Sequence, residues 1–421
     1  MKRNFFGERK LIGDKRMPET LIALSIILIT AFLLNIIFKK IGFPSVVGQI
    51  LAGMILGIPA LKAFLFNSES LLAVDLLSTF GIVFLLYLAG LEVDIEKIKE
   101  TTRDSILVAL GSTGAPFILG FTFLTAIGYS VIAATVFGGA LAVTAGGTIV
   151  GVLMDSNALN TRLGAIFVAA GTIDDLLEIF LLSLIVMFIH GGSALEVALL
   201  PLQLIAFVVI SFVLFKVMSK ILHYLKMNGG DVELFSIVVI LVISMAALSE
   251  ILDIGYLIGA IMAGFLLQVS IKGMEKKSKE EIVRTIRLIT LAFVVPFFFA
   301  NIGLNFDIGL LFANPTLTIV SVLIAIGGAI IGALLVKPFS NLNLKQLYIV
   351  GWAMSSKGSV ELVIALLARK YGLVSPEIFS ALVAMAIITT IAFPFILARE
   401  INKNPLIMDT VPTRNKKSSV H

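Results

Sequence analysis

No cysteine occurs in this sequence, which removes disulfides, thiolate metal sites and thiol catalysis and leaves the redox compartment open. The three histidines, His190, His223 and His421, are too scattered to form a metal centre. Charge is also scarce. Only 14% of the residues are Asp, Glu, Lys or Arg, 58% are hydrophobic, and the mean hydropathy is +1.07. Such a chain has too little polar surface to cover a soluble globule, so it is a polytopic membrane protein that requires a lipid bilayer around it. The formal charge of +5 does not point to a nucleic-acid partner, because the basic residues sit in short loops between apolar runs.

Those runs are what the chain has in abundance. After a polar arm over 1–16, apolar length and charged or Pro/Gly breaks place spans near 17–38, 44–60, 72–90, 104–127, 130–153, 163–189, 198–222, 232–252, 255–270, 286–305, 315–337, 345–368 and 377–398. The expectation is an all-α membrane protein of about 13 transmembrane helices. No small-residue cleavage site follows the first run, so it reads as a span and not as a signal peptide. An N-terminus outside puts 21 Lys and Arg on the cytoplasmic side against nine outside, and the C-terminus then lies inside.

Internal similarity sets the architecture. Val47–Leu56 matches Ile258–Leu267 at an offset of 211, Gly90–Ile95 matches Gly303–Ile308 at 213, and Thr144–Gly147 aligns with Ser355–Gly358 at 211. Close packing by small residues explains each motif alone but not their common spacing. The expected domains are a first six-helix repeat over 17–190, a linker helix over 191–226, a second repeat over 231–400 and a polar cytoplasmic tail over 401–421. Equivalent helices stand seven spans apart, an odd number, which inverts the second repeat in the membrane.

Three carboxylates interrupt the sixth span at Asp174, Asp175 and Glu178, with Thr172 just before them. On a helix Asp174 and Glu178 share a face, while Asp175 points about 100° away. Each such charge costs several kcal/mol in hydrocarbon, so an ion or proton site is the expected reading. The fifth span is broken at Thr144, Gly146 and Gly147, and the twelfth at Ser355, Ser356 and Lys357. Paired breaks at equivalent positions predict two discontinuous helices that cross near the midplane. Their opposed ends need countercharges, which Lys357 and Glu361, four residues apart, can supply. Lys337 closes the eleventh span, where a lysine can also simply snorkel to the membrane edge.

These residues resemble the monovalent cation:proton antiporters of the second CPA branch, of the NapA and NhaA type, over roughly 17–400. The resemblance implies an NhaA-like fold and a homodimer. It also implies that Asp175 binds cation and proton alternately with Asp174 beside it, that Lys337 is the charge partner of Asp174, and that exchange proceeds by alternating access without a cofactor. The chain departs from relatives in its fifth-span Thr-Ala-Gly and in carrying its acidic residue at Glu361, after Lys-Gly-Ser-Val. The expected activity is electrogenic exchange of Na⁺ or Li⁺ for H⁺ at the cell membrane, in the service of pH homeostasis. A K⁺/H⁺ antiporter and a sodium-coupled symporter of organic solutes are the alternatives. An intramembrane aspartyl protease is disfavoured, since carboxyls adjacent in sequence diverge on one helix and Asn228-Gly229-Gly230-Asp231 lies in a loop.

Overall fold

The computed structural model describes residues 5–41, 43–92, 103–156, 158, 161–189, 202, 205–207, 209–214, 216–217, 220, 231–252, 255–271, 276–403 and 405–408. The described residues are mainly helical. The first four helices are α1 (Phe5–Lys40), α2 (Ser45–Leu56), α3 (Pro59–Leu65) and α4 (Ser68–Glu92). Next come α5 (Arg103–Ala126), α6 (Val131–Ala142), α7 (Gly146–Asp155) and α8 (Arg162–Ile189). The second half holds α9 (Asp231–Ile251), α10 (Tyr256–Ser270), α11 (Lys276–Ile289) and α12 (Val295–Leu304), followed by α13 (Ile308–Ala313), α14 (Pro315–Leu323), α15 (Ala329–Leu335), α16 (Leu344–Met354), α17 (Val360–Lys370) and α18 (Pro376–Lys403). A π-helical turn joins α11 to α12 and another joins α14 to α15. A 3-10 turn, Pro405–Met408, follows α18.

Six helices among the described residues are long and apolar enough to cross a membrane, or seven if α2 and α3, bent by 83° at their break, count as one span. Shorter apolar helices include α6, α10 and Ile205–Leu214. Many outward side chains are large and apolar, among them Phe32, Leu76, Leu110 and Ile118, as lipid contact requires. The polar arm expected over 1–16 is helical from Phe5 and continuous with the first span. Most of the expected linker helix, and the tail beyond Met408, lie outside the described residues.

The chain folds as two compact units, Met1–Val93 with Leu182–Asp307 and Asp94–Leu181 with Ile308–His421. In the first, four glycines let helix backbones touch. A Cβ on Gly53 would meet the Ala300 carbonyl, and one on Gly264 the Tyr87 carbonyl. One on Gly90 would meet the Ile261 carbonyl, and one on Gly303 that of Ile50. The contacts are reciprocal: shifting α2 residues by 211 and α4 residues by 213 turns one contact of each pair into the other.

In the second unit Gly111 of α5 and Gly332 of α15 approach in the same manner. A core of Ile149, Leu153, Phe167, Leu347, Val350, Phe393 and Leu397 joins α7, α8, α16 and α18. One end of this unit is tied by Asp104, whose Oδ1 accepts from Ser340 Oγ at 2.9 Å and from Asn341 N at 3.0 Å, while Oδ2 lies 3.9 Å from Arg162 Nη2. Asn343 and Gln346 form a capping box that starts α16, and Gln346 Nε2 donates to the Ile407 carbonyl at 3.0 Å. Gly128 and Gly372 have φ near +92° and +70°, and so supply the turns that return α5 into α6 and α17 into α18.

Candidate functional site

The helical path breaks twice inside the second unit, at Val143–Ala145 between α6 and α7, and at Ser355–Ser359 between α16 and α17. The two breaks are bonded to each other. Ala145 N donates to Ser356 O at 2.9 Å, and Thr144 Oγ1 donates to Met354 O, the last residue of α16, at 2.9 Å. Ala145 and Ser356 are themselves equivalent at the offset of 211. Gly358 fits here because a Cβ would press on the side chain of Ala145.

A helix that ends inside the protein leaves carbonyls without intrahelical donors. Lys357 meets this need directly: it is fully buried, and its Nζ donates to Val143 O at 2.5 Å and to Ala142 O at 3.4 Å, at the C-terminal end of α6. Thr390 Oγ1 of α18 donates to the Lys357 carbonyl at 3.1 Å. Buried with this ammonium, and within its field, are three carboxyls: Asp174 and Glu178 on α8, and Glu361 in the first turn of α17. Asp174, Lys357 and Glu361 each expose 1% of their surface or less. Oε1 of Glu361 has no hydrogen-bond partner.

Asp174 is held from a helix to which sequence reasoning assigned no role. Thr113 Oγ1, on α5, makes a short hydrogen bond to Asp174 Oδ1. The hydroxyl and amide of Thr144 are also close to this carboxylate, while its Oδ2 has no hydrogen-bond partner. Asp175, one residue on, is only half-buried and acts electrostatically on Glu178. The structure therefore brings Asp174, Glu178, Thr144, Lys357 and Glu361 together.

Five other candidates stand differently. Thr172 Oγ1 is engaged with Val168 O of its own helix at 2.9 Å, and Ser355 Oγ with Trp352 O at 2.8 Å. Gly146 and Gly147 open α7. Lys337 departs most from expectation: it is exposed on the turn after α15, and its Nζ donates to Leu342 O at 2.8 Å. The chain reverses at Lys337 and the side chain caps that turn, so the lysine whose charge acts on Asp174 is Lys357. The signal for Thr113 was the pair Ser112-Thr113 inside an apolar span, but the two hydroxyls behave differently. Ser112 bonds back to Val108 O at 2.6 Å, and only Thr113 reaches another helix.

The family model described as sodium/hydrogen exchanger, transmembrane, matches residues 26–400. The chain is 29% identical to the "Na(+)/H(+)-K(+) antiporter GerN" of Bacillus cereus over 89% of this chain and 95% of that protein. It is 30% identical to the "Probable Na(+)/H(+) antiporter GerT" of the same organism, over 86% and 93%. Among solved structures, the sodium proton antiporter MjNhaP1 from Methanocaldococcus jannaschii superposes with a TM-score of 0.68 at 17% identity, covering 94% of this chain and all of that one.

Proposed function

The chain belongs to the sodium/hydrogen exchanger family of multi-pass membrane transporters, and from that premise we propose that it exchanges Na⁺ for H⁺ at the crossing in its second unit, with Asp174 and Asp175 taking cation and proton in turn. The observation that carries this reading is a charge imbalance: three carboxyls and one ammonium are buried together where two helices are interrupted. Fully ionised, the group would hold two uncompensated negative charges away from water, at a cost of several kcal/mol. Bound protons or a cation reduce that charge, and the two occupants therefore compete. Na⁺ in and H⁺ out become alternatives at one place, which is what coupled exchange requires. The symporter alternative gains nothing from the relatives, whose names are those of antiporters.

Lys357 takes the part that the family resemblance implied for Lys337. In the cation-free state it neutralises Asp174 and caps α6. A cation arriving beside Asp174 weakens that pairing, and release of the lysine proton makes exchange electrogenic. The transporter is further read as about 13 helices in two inverted repeats, with its N-terminus outside and C-terminus inside. It accepts Li⁺ as well as Na⁺ and acts as a homodimer. The constant offset and the reciprocal glycine contacts support the repeats, and the loop distribution of Lys and Arg supports the orientation.

The test is proton flux in proteoliposomes driven by Na⁺, Li⁺ or K⁺, with and without an imposed potential. The expected result is Na⁺-driven flux that responds to potential, with a half-saturating Na⁺ concentration that rises as pH falls. Asp175→Asn should reduce it to the level of empty liposomes. Undiminished Na⁺-driven flux in that variant would remove Asp175 from the site.

A further inference from the structure

Resting on the exchange reading above, we propose that the Thr113 hydroxyl is a ligand of the transported cation and sets its affinity. Neither the two carboxylates nor the broken helices by themselves assign this residue. The geometry rests on three facts. Thr113 and Asp174, 61 residues apart and both buried, are joined side chain to side chain between α5 and α8. Asp174 Oδ2, on the same carboxylate, is buried with no hydrogen-bond partner. Among the described residues, no three His, Cys, Asp or Glu side chains are disposed to hold a metal ion.

A small hard cation needs several oxygen ligands. Carboxylates alone do not provide them here, so hydroxyl and main-chain oxygens must complete the shell. The hydroxyls already seen at this crossing differ in what they have left to give. Thr144 Oγ1 donates to Met354 O, and Ser112 and Thr172 are bonded back to their own helices. Thr113 Oγ1 is hydrogen-bonded directly to the Asp174 carboxylate, beside which the hydroxyl and amide of Thr144 also lie. A hydroxyl has one donor hydrogen and two acceptor lone pairs, so donating to Oδ1 leaves its oxygen able to ligate a cation drawn to that carboxylate. Thr113 thus acts in both occupancies, as donor to the ionised carboxylate and as neutral ligand to the ion that replaces the proton.

The experiment compares the full-length wild type with T113S, T113V and T113A. It measures cation-driven proton flux in proteoliposomes against Na⁺ and Li⁺ concentration, and Na⁺-dependent thermal stabilisation of the same proteins in detergent. T113V keeps the shape and loses the hydroxyl. The expected result is a rise in half-saturating Na⁺ of about 10- to 100-fold with a maximal rate within about threefold, the size of a lost bond to a charged group. Stabilisation by Na⁺ should weaken in parallel, and T113S should restore both while altering the Li⁺ to Na⁺ preference. If T113V does not fold, T113A carries the same expectation. A hydroxyl-free variant whose half-saturation and Na⁺ stabilisation match wild type overturns the proposal. So does a T113S that fails as T113V does, which would mark the residue as packing only. A wild type in which no cation moves protons refutes the exchange reading itself, and Na⁺ stabilisation still reports on Thr113.

Discussion

Each unit contains stretches related to one another at the offset of 211 or 213, yet the two units bury opposite things. In the unit of Met1–Val93 and Leu182–Asp307, the close helix contacts are backbone against backbone at Gly53, Gly90, Gly264 and Gly303, and its buried polar side chains, such as Gln49, Ser78 and Asn301, are uncharged. In the other unit lie all the buried charged side chains found among the described residues: Asp104, Asp174, Glu178, Lys357 and Glu361. In hydrocarbon, association comes from van der Waals fit and from satisfied polar groups, since lipid is as apolar as leucine. The first unit uses the first source, and the second unit, which also has the Gly111–Gly332 approach, adds the second. A glycine seam is insensitive to ions, whereas a buried group with surplus carboxyls changes its energy whenever a proton or cation enters. On the proposed reading, response to ions belongs to the unit with the buried charges, and the glycine contacts of the other serve packing.

The largest stability effect is expected from Lys357→Ala, which strands the carbonyls of Ala142 and Val143 and leaves three carboxyls with no ammonium. A loss of about 3–5 kcal/mol should appear as a large fall in melting temperature, with Na⁺-driven flux abolished. A protein that melts as wild type would show that the charge cluster contributes nothing to holding the crossing together.

On the glycine side, Gly264→Val drives side-chain atoms into the Tyr87 carbonyl and the backbone of Gly90. Overpacking against main chain should cost about 1–3 kcal/mol, because a backbone cannot swing aside as a side chain can. The sharper reading is what stays constant: Na⁺ should still raise the melting temperature of this variant by the wild-type increment. Loss of that increment would mean the seam and the ion site are not separate functions.

Lys337→Ala is the small case. Its side chain is exposed and bonds one turn carbonyl, so stability should change by no more than about 0.5 kcal/mol, and the response of transport to potential should be unaltered. An electroneutral Lys337→Ala transporter would instead return the charge-partner role to this lysine.

Much of this molecule was legible along the chain because a bilayer restricts what a chain can do. Where no water is present, every backbone group must bond within its own helix, so apolar length translates into helices, and glycine with hydroxyl residues marks where the ladder stops. The interruptions at Val143–Ala145 and Ser355–Ser359 fall on the stretches read from Thr144, Gly146, Gly147 and Ser355 to Lys357 for this reason. Asp174 and Glu178 came together by helical spacing alone. What the sequence could not decide was which partner each charge meets. Lys337 and Lys357 both look like intramembrane lysines in one dimension. Only the fold shows that one caps a surface turn while the other is enclosed on the broken end of α6. Thr113 illustrates the same limit, since a threonine in an apolar helix ordinarily bonds to its own backbone, as Thr172 does. Its reach to Asp174 depends on how close α5 lies to α8, and that is set by tertiary packing, which has no local signature in the chain.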